Sequence, residues 1–231
     1  MDNIVYFTSF NTESQAVILV GVDLILYITI VITIILLSMT LHEAMHAYVG
    51  YWLGDDTAKR EGRLTLNPLK HIDPFLSVIL PLGLALVGAP IFGGAKPVPF
   101  NPDRVRGGDW GAALVAIAGP LTNLVFAFVT FGIWVTIGAP PITTLAGEIL
   151  ITAYTVNLGF FIFNSIPIPP LDGSRVLYAL APEFIRTGMR VIERYGIIFV
   201  FAIVLLFNSQ IGTFIMIIMR FFLSLFNVIF R

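Results

Sequence analysis

The sequence predicts an all-α polytopic membrane protein, with about five transmembrane helices, a re-entrant segment and a small β-hairpin or sheet near the cytoplasmic membrane surface. Three observations carry that expectation. Of the 231 residues, 57% are hydrophobic and only 12% are charged, whereas a soluble domain is about 45–50% apolar and about 25% charged. Several apolar runs approach or exceed the roughly 20 residues that a helix needs to cross a bilayer. Eleven of the 13 Lys and Arg residues gather in three clusters outside the apolar runs, with Arg220 and Arg231 the other two. One membrane-embedded domain over residues 1–231 is expected, since several spans leave too little chain for a sizeable soluble domain.

The first run covers residues 16–40 and is expected to continue as helix to position 53. Its leading 15 residues lack the basic start of a cleavable signal peptide. After a polar stretch, residues 75–94 are apolar but short and broken by Pro and Gly. A second polar stretch precedes the long run 111–139, and a further run covers 145–166. That run ends in a cluster of prolines, Pro167, Pro169 and Pro170, which cannot continue a helix. Residues 174–195 mix apolar and charged side chains. Two apolar helices, at 196–207 and 211–230, close the chain as a hairpin over about residues 195–231.

Lys and Arg accumulate on the cytoplasmic side of a membrane protein. One cluster is Lys59, Arg60, Arg63 and Lys70; a second is Lys96, Arg104 and Arg106; a third is Arg175, Arg186, Arg190 and Arg194. Placing the first two on one side requires residues 75–94 to dip in and return. The segments 63–67 and 96–101 could pair as a small sheet at that surface, with an edge open to an extended chain. The net charge of −1 gives no basis for nucleic-acid binding. The absence of cysteine excludes a disulfide framework and a thiolate metal site.

His42 and His46, at the end of the first run, are spaced i, i+4 and project from one helix face. Two imidazoles so placed can share a Zn²⁺, and Glu43, one residue around the helix, can reach a water beside it. The competing reading is a chance match with both rings hydrogen-bonded in a bundle. Ionisable groups at membrane depth are costly and usually functional, which favours the metal. Catalytic zinc takes three protein ligands. Position 52 is Trp52, so the helix offers no third histidine of the extended motif. His71 lies in a polar loop, where hydrogen bonding is the expected role. Glu61, Asp55 and Asp56 sit among basic residues, and Glu148 lies near the opposite turn. Asp172 follows the proline break, where non-helical backbone implies a protein-lined cavity. It could line that cavity, or it could cap the helix that begins near Ser174.

The motifs HEAMHA (42–47), GRLTLNPLKHIDP (62–74), AKPVPFNP (95–102), AGPLTN (118–123) and NSIPIPPLDG (164–173) occur in this order over about residues 35–180. Together they resemble the site-2 protease family, zinc metalloproteases that cleave within the membrane, in the short form without a PDZ domain. The resemblance implies one zinc ion held by His42, His46 and Asp172, with Glu43 as general base and Asn164 near the reaction centre. It places the catalytic core at about residues 20–180. The implied substrates are single-span membrane proteins, and the implied setting is a prokaryotic cell membrane with the site toward the cytoplasm. Asn164 and, after it, Asn123 are candidate donors to an oxyanion; interhelical hydrogen bonding is the competing role for both. A zinc-bearing transporter and a catalytically inactive substrate-binding homologue are the other readings. The chain departs from the pattern in an extension of about 20 residues at its start, in HIDPFLS, and in FGGAKPV.

Overall fold

A computed structural model describes residues 24–79, 83 and 94–230. The chain order is α1 (Leu24–Trp52), α2 (Thr57–Arg60), α3 (Gly108–Thr136), α4 (Leu145–Asn164), α5 (Gly173–Leu180), α6 (Glu183–Leu206) and α7 (Asn208–Phe230), with short 3₁₀ turns at Pro68–Lys70 and Pro102–Arg104. Among the described residues all regular structure is helical. Among the described residues four helices, α1, α3, α4 and α7, are long and apolar enough to cross a membrane. The protein is therefore a membrane protein, as its composition predicts.

Helix α3 is the hub and packs against α1, α4, α5 and α7. Phe131 of α3, Tyr154 and Leu158 of α4, and Met219 and Phe226 of α7 are buried together in its core. The rings of Phe131 and Tyr154 stand edge to face, with centroids 5.3 Å apart, a favoured aromatic geometry. The α3–α4 turn is closed by the Trp134 indole N–H, which donates to the Pro140 carbonyl at 2.9 Å. Thr144 then caps α4, its hydroxyl accepting from the Gly147 N–H.

Two expectations differ from this architecture, and a third lies largely outside the described residues. The fifth span, at 196–207, is not among the helices long and apolar enough to cross. Gly196, at φ +23° and ψ −99°, breaks α6 and leaves only residues 197–206 beyond it. At 1.5 Å per residue that is about 15 Å, half of the hydrocarbon core. The small sheet is also absent among the described residues. Segments 63–67 and 94–101 are irregular, and no strand is formed. Pro97 and Pro99 remove two of the N–H donors that a ladder would need. The re-entrant segment at 75–94 lies largely outside the described residues, as does the start of the first run; only a turn of π-helix, Phe75–Ile79, is seen at its entry.

Segment 94–101 is instead pinned from the side. The Lys96 N–H donates to His71 O at 2.9 Å, and Arg63 Nη2 donates to Lys96 O at 2.7 Å. The Asn101 N–H donates to Asp55 Oδ2 at 2.7 Å. Burial opposes the charge on Asp55, yet the N–H of Asn101 and the hydroxyl and N–H of Thr57 outweigh it and hold the carboxyl below its ordinary range. His71 serves the same loop: its Nε2 bonds to Thr65 O at 2.9 Å, and it is 2% exposed.

Candidate metal centre

Ser38, His42 and His46 recur at four-residue intervals and so share one face of α1. Val115, Gly119 and Asn123 do the same on α3, and the two rows face each other. His46 Nδ1 lies 2.8 Å from the Val115 carbonyl. His42 Nδ1 lies 2.6 Å from Asn123 Oδ1. Each oxygen can only accept, so each ring carries its proton on Nδ1 and presents a lone pair at Nε2. The rings are perpendicular, with centroids 4.7 Å apart.

The Nε2 atoms converge over Gly119. A Cβ on Gly119 would lie 2.5 Å from His46 Nε2 and 2.6 Å from His42 Nε2. Only a residue without a side chain leaves this space open. This explains the glycine of the AGPLTN motif, as the bond to His42 explains its asparagine.

Asp172 reaches the same point from the proline break. After α4 ends at Asn164, backbone bonds from Ile168 N to Ile166 O and from Leu171 N to Ile168 O fold the chain into successive turns. They deliver Asp172 to the start of α5. Its side chain makes no capping bond there. Oδ2 instead lies 3.0 Å from His42 Nε2 and 3.5 Å from His46 Nε2.

Two imidazole nitrogens and one carboxylate oxygen, all within 4.8 Å of one another, form the group of this kind among the described residues that could hold a metal ion. Three lone-pair donors facing one point have no mutual stabilisation without a cation between them. An N, N, O donor set is a catalytic zinc set, and it leaves a fourth position open. The residues fit the ion.

Behind His42 runs a polar chain, of which sequence reasoning missed Asn157 and Ser38. Asn123 Nδ2 donates to Asn157 Oδ1 at 2.9 Å, and Asn157 Nδ2 donates to Ser38 Oγ at 2.9 Å and to Ala153 O at 2.8 Å. Asn123 and Asn157 are each 1% exposed. This fixes the Asn123 amide and, through its oxygen, the His42 tautomer. Asn123 thus makes the interhelical hydrogen bonds that were the competing expectation for it, with its amide engaged by His42, Asn157 and Ser38. A polar side chain inside each apolar run was the available signal, since such groups are costly unless partnered. Replacing Asn123 with alanine is expected to weaken zinc affinity about 10- to 100-fold while the protein still folds, as loss of a ligand-orienting partner does. Competition with a chromogenic chelator measures it.

The remaining candidates, Glu43 and Asn164, are not among the three donors. Glu43, half-buried, accepts at Oε2 from the Val98 N–H at 2.9 Å. Between Pro97 and Pro99, Val98 carries the local N–H donor. Asn164 donates from Nδ2 to Phe160 O, one turn back in its own helix, at 3.1 Å.

No family model matches the chain, and no solved structure matches it. A Bacillus subtilis protein with the provisional name zinc metalloprotease YwhC is 40% identical over 193 residues, 81% of this chain and 83% of that protein. The chain belongs to the site-2 protease family of zinc metalloproteases. Rip2 of Mycolicibacterium smegmatis, also provisionally named a zinc metalloprotease, is 32% identical over 77% of this chain and 66% of its own length. A Methanocaldococcus jannaschii protein of similar name, MJ0611, is 46% identical over 63 residues, 27% of this chain and 31% of its own.

Proposed function

We propose that this chain is an intramembrane zinc endopeptidase that hydrolyses peptide bonds within or near the transmembrane segments of single-span membrane proteins, in regulated intramembrane proteolysis. The observation that carries the proposal is the meeting of His42 and His46, on the membrane-spanning helix α1 and beside Glu43, with Asp172 from the proline break. Zinc, when bound, supplies Lewis acidity toward water and a carbonyl oxygen. The protein's own residues supply the rest. The Val98 N–H holds one oxygen of Glu43; the other is left to take a proton from water and return it to the leaving amine. Asn164 is proposed as a donor to the developing oxyanion, in a role that requires it to leave Phe160 O. The arginine and lysine clusters support a cytoplasmic-side site in a cell membrane.

The test is cleavage of a purified single-span substrate in liposomes. Zinc-loaded protein is expected to cleave it, 1,10-phenanthroline to stop cleavage, and added zinc to restore it. Zinc flux across the liposome with no cleavage would establish the transporter reading instead.

A further inference from the structure

The first half of α6, residues 183–195, carries three distinct stripes. Phe184, Val191 and Tyr195 are 78%, 56% and 61% exposed. They stand at i, i+7 and i+11, on one side of a helix. Leu180, 65% exposed at the end of α5, lies just ahead of them in the chain. A second stripe is polar and also exposed: Glu183, Thr187, Arg190 and Arg194. Within it Arg190 Nη2 donates to Glu183 Oε1 at 2.6 Å and to Thr187 Oγ1 at 2.8 Å. The third stripe faces the protein. Met189 is buried, Arg186 bridges to Asp109 of α3 at 2.7 Å, and Glu193 pairs with Arg175 of α5.

A helix in water would leave the first stripe as an apolar patch exposed without cause. A helix crossing the hydrocarbon core would bury the second stripe's charges at high cost. Both stripes are satisfied at one depth only. Past the kink at Gly196 the exposed apolar side chains continue, with Ile198 at 72% and Leu206 at 74%. Exposed apolar surface therefore continues on both sides of the kink.

We infer that residues 183–195 lie in the plane of the lipid–water boundary, with Phe184, Val191 and Tyr195 among the acyl chains and Arg190 and Arg194 at headgroup level. The partner is the bilayer surface itself. The inference rests on the chain being membrane-embedded and is independent of peptide hydrolysis. Its consequence reaches the metal centre. Asp172 immediately precedes α5, and α5 is tied to the in-plane helix through Arg175 and Glu193. The bilayer surface thereby helps to fix the height of the third ligand.

The chain has no cysteine, so single cysteines can be introduced without background. A nitroxide label is placed in turn at positions 184, 187, 189, 190, 191, 194 and 195 of the full chain, in liposomes of phosphatidylcholine and phosphatidylglycerol. Collision with oxygen and with a water-soluble nickel chelate is then compared by power-saturation spectroscopy. Oxygen should dominate at 184, 191 and 195, nickel at 187, 190 and 194, and neither should reach 189. Nickel reaching 184 and 191 as readily as 190 and 194 would place the helix in water and overturn the inference. Exclusion of both reagents from 184 and 191 would place protein, such as a second copy, against the stripe and would equally overturn it.

Discussion

Glutamine in place of Glu43 is expected to lower substrate cleavage by about 10²- to 10⁴-fold, the usual contribution of a positioned general acid–base, with zinc content unchanged. The side chain keeps its shape, and its carbonyl oxygen can still accept from the Val98 N–H that Glu43 Oε2 now receives at 2.9 Å. The metal donors, on His42, His46 and Asp172, are untouched. What is lost is the ability to hold a proton between water and the leaving amine. Turnover in the liposome assay, measured beside metal content, checks both halves. Undiminished cleavage would remove Glu43 from the chemistry.

The second large effect is at Gly119, a residue that performs no chemistry. Alanine there is expected to lower zinc affinity by more than about 10²-fold, through displacement of both rings from the ion. The added Cβ would stand 2.5 Å from His46 Nε2 and 2.6 Å from His42 Nε2. Neither ring can simply swing away, because Nδ1 of each is bonded to α3, at Val115 O and Asn123 Oδ1. Alanine is a better helix former than glycine by about 1 kcal/mol, so melting of α3 would not explain the loss. Zinc competition titration together with helical content by circular dichroism separates the two causes. Full affinity in a folded variant would show that the rings do not converge over α3.

The features that sequence alone made legible are those set by local spacing. The i, i+4 histidines needed only the helical repeat to share a face. The prolines at 167, 169 and 170 announced a break that could bring Asp172, 130 residues from His42, into the same layer. What remained hidden depended on which helix faces which. Ser38, Asn123 and Asn157 come from three different helices, and no spacing within one run shows that they form a chain. The absent sheet and the broken fifth helix have local causes that tertiary context made decisive. Pro97 and Pro99 withhold donors, while Asp55, Arg63 and His71 offer segment 94–101 other partners. Gly196 halts a helix whose earlier half is held by Asp109 and Arg175.

Zinc content of the purified protein, measured by mass spectrometry beside His46→Ala and Asp172→Ala, tests most directly whether residues 130 apart in sequence build one metal centre. One zinc per chain in the parent and loss from both variants is the predicted result. Zinc retained at full affinity in the Asp172 variant would contradict it.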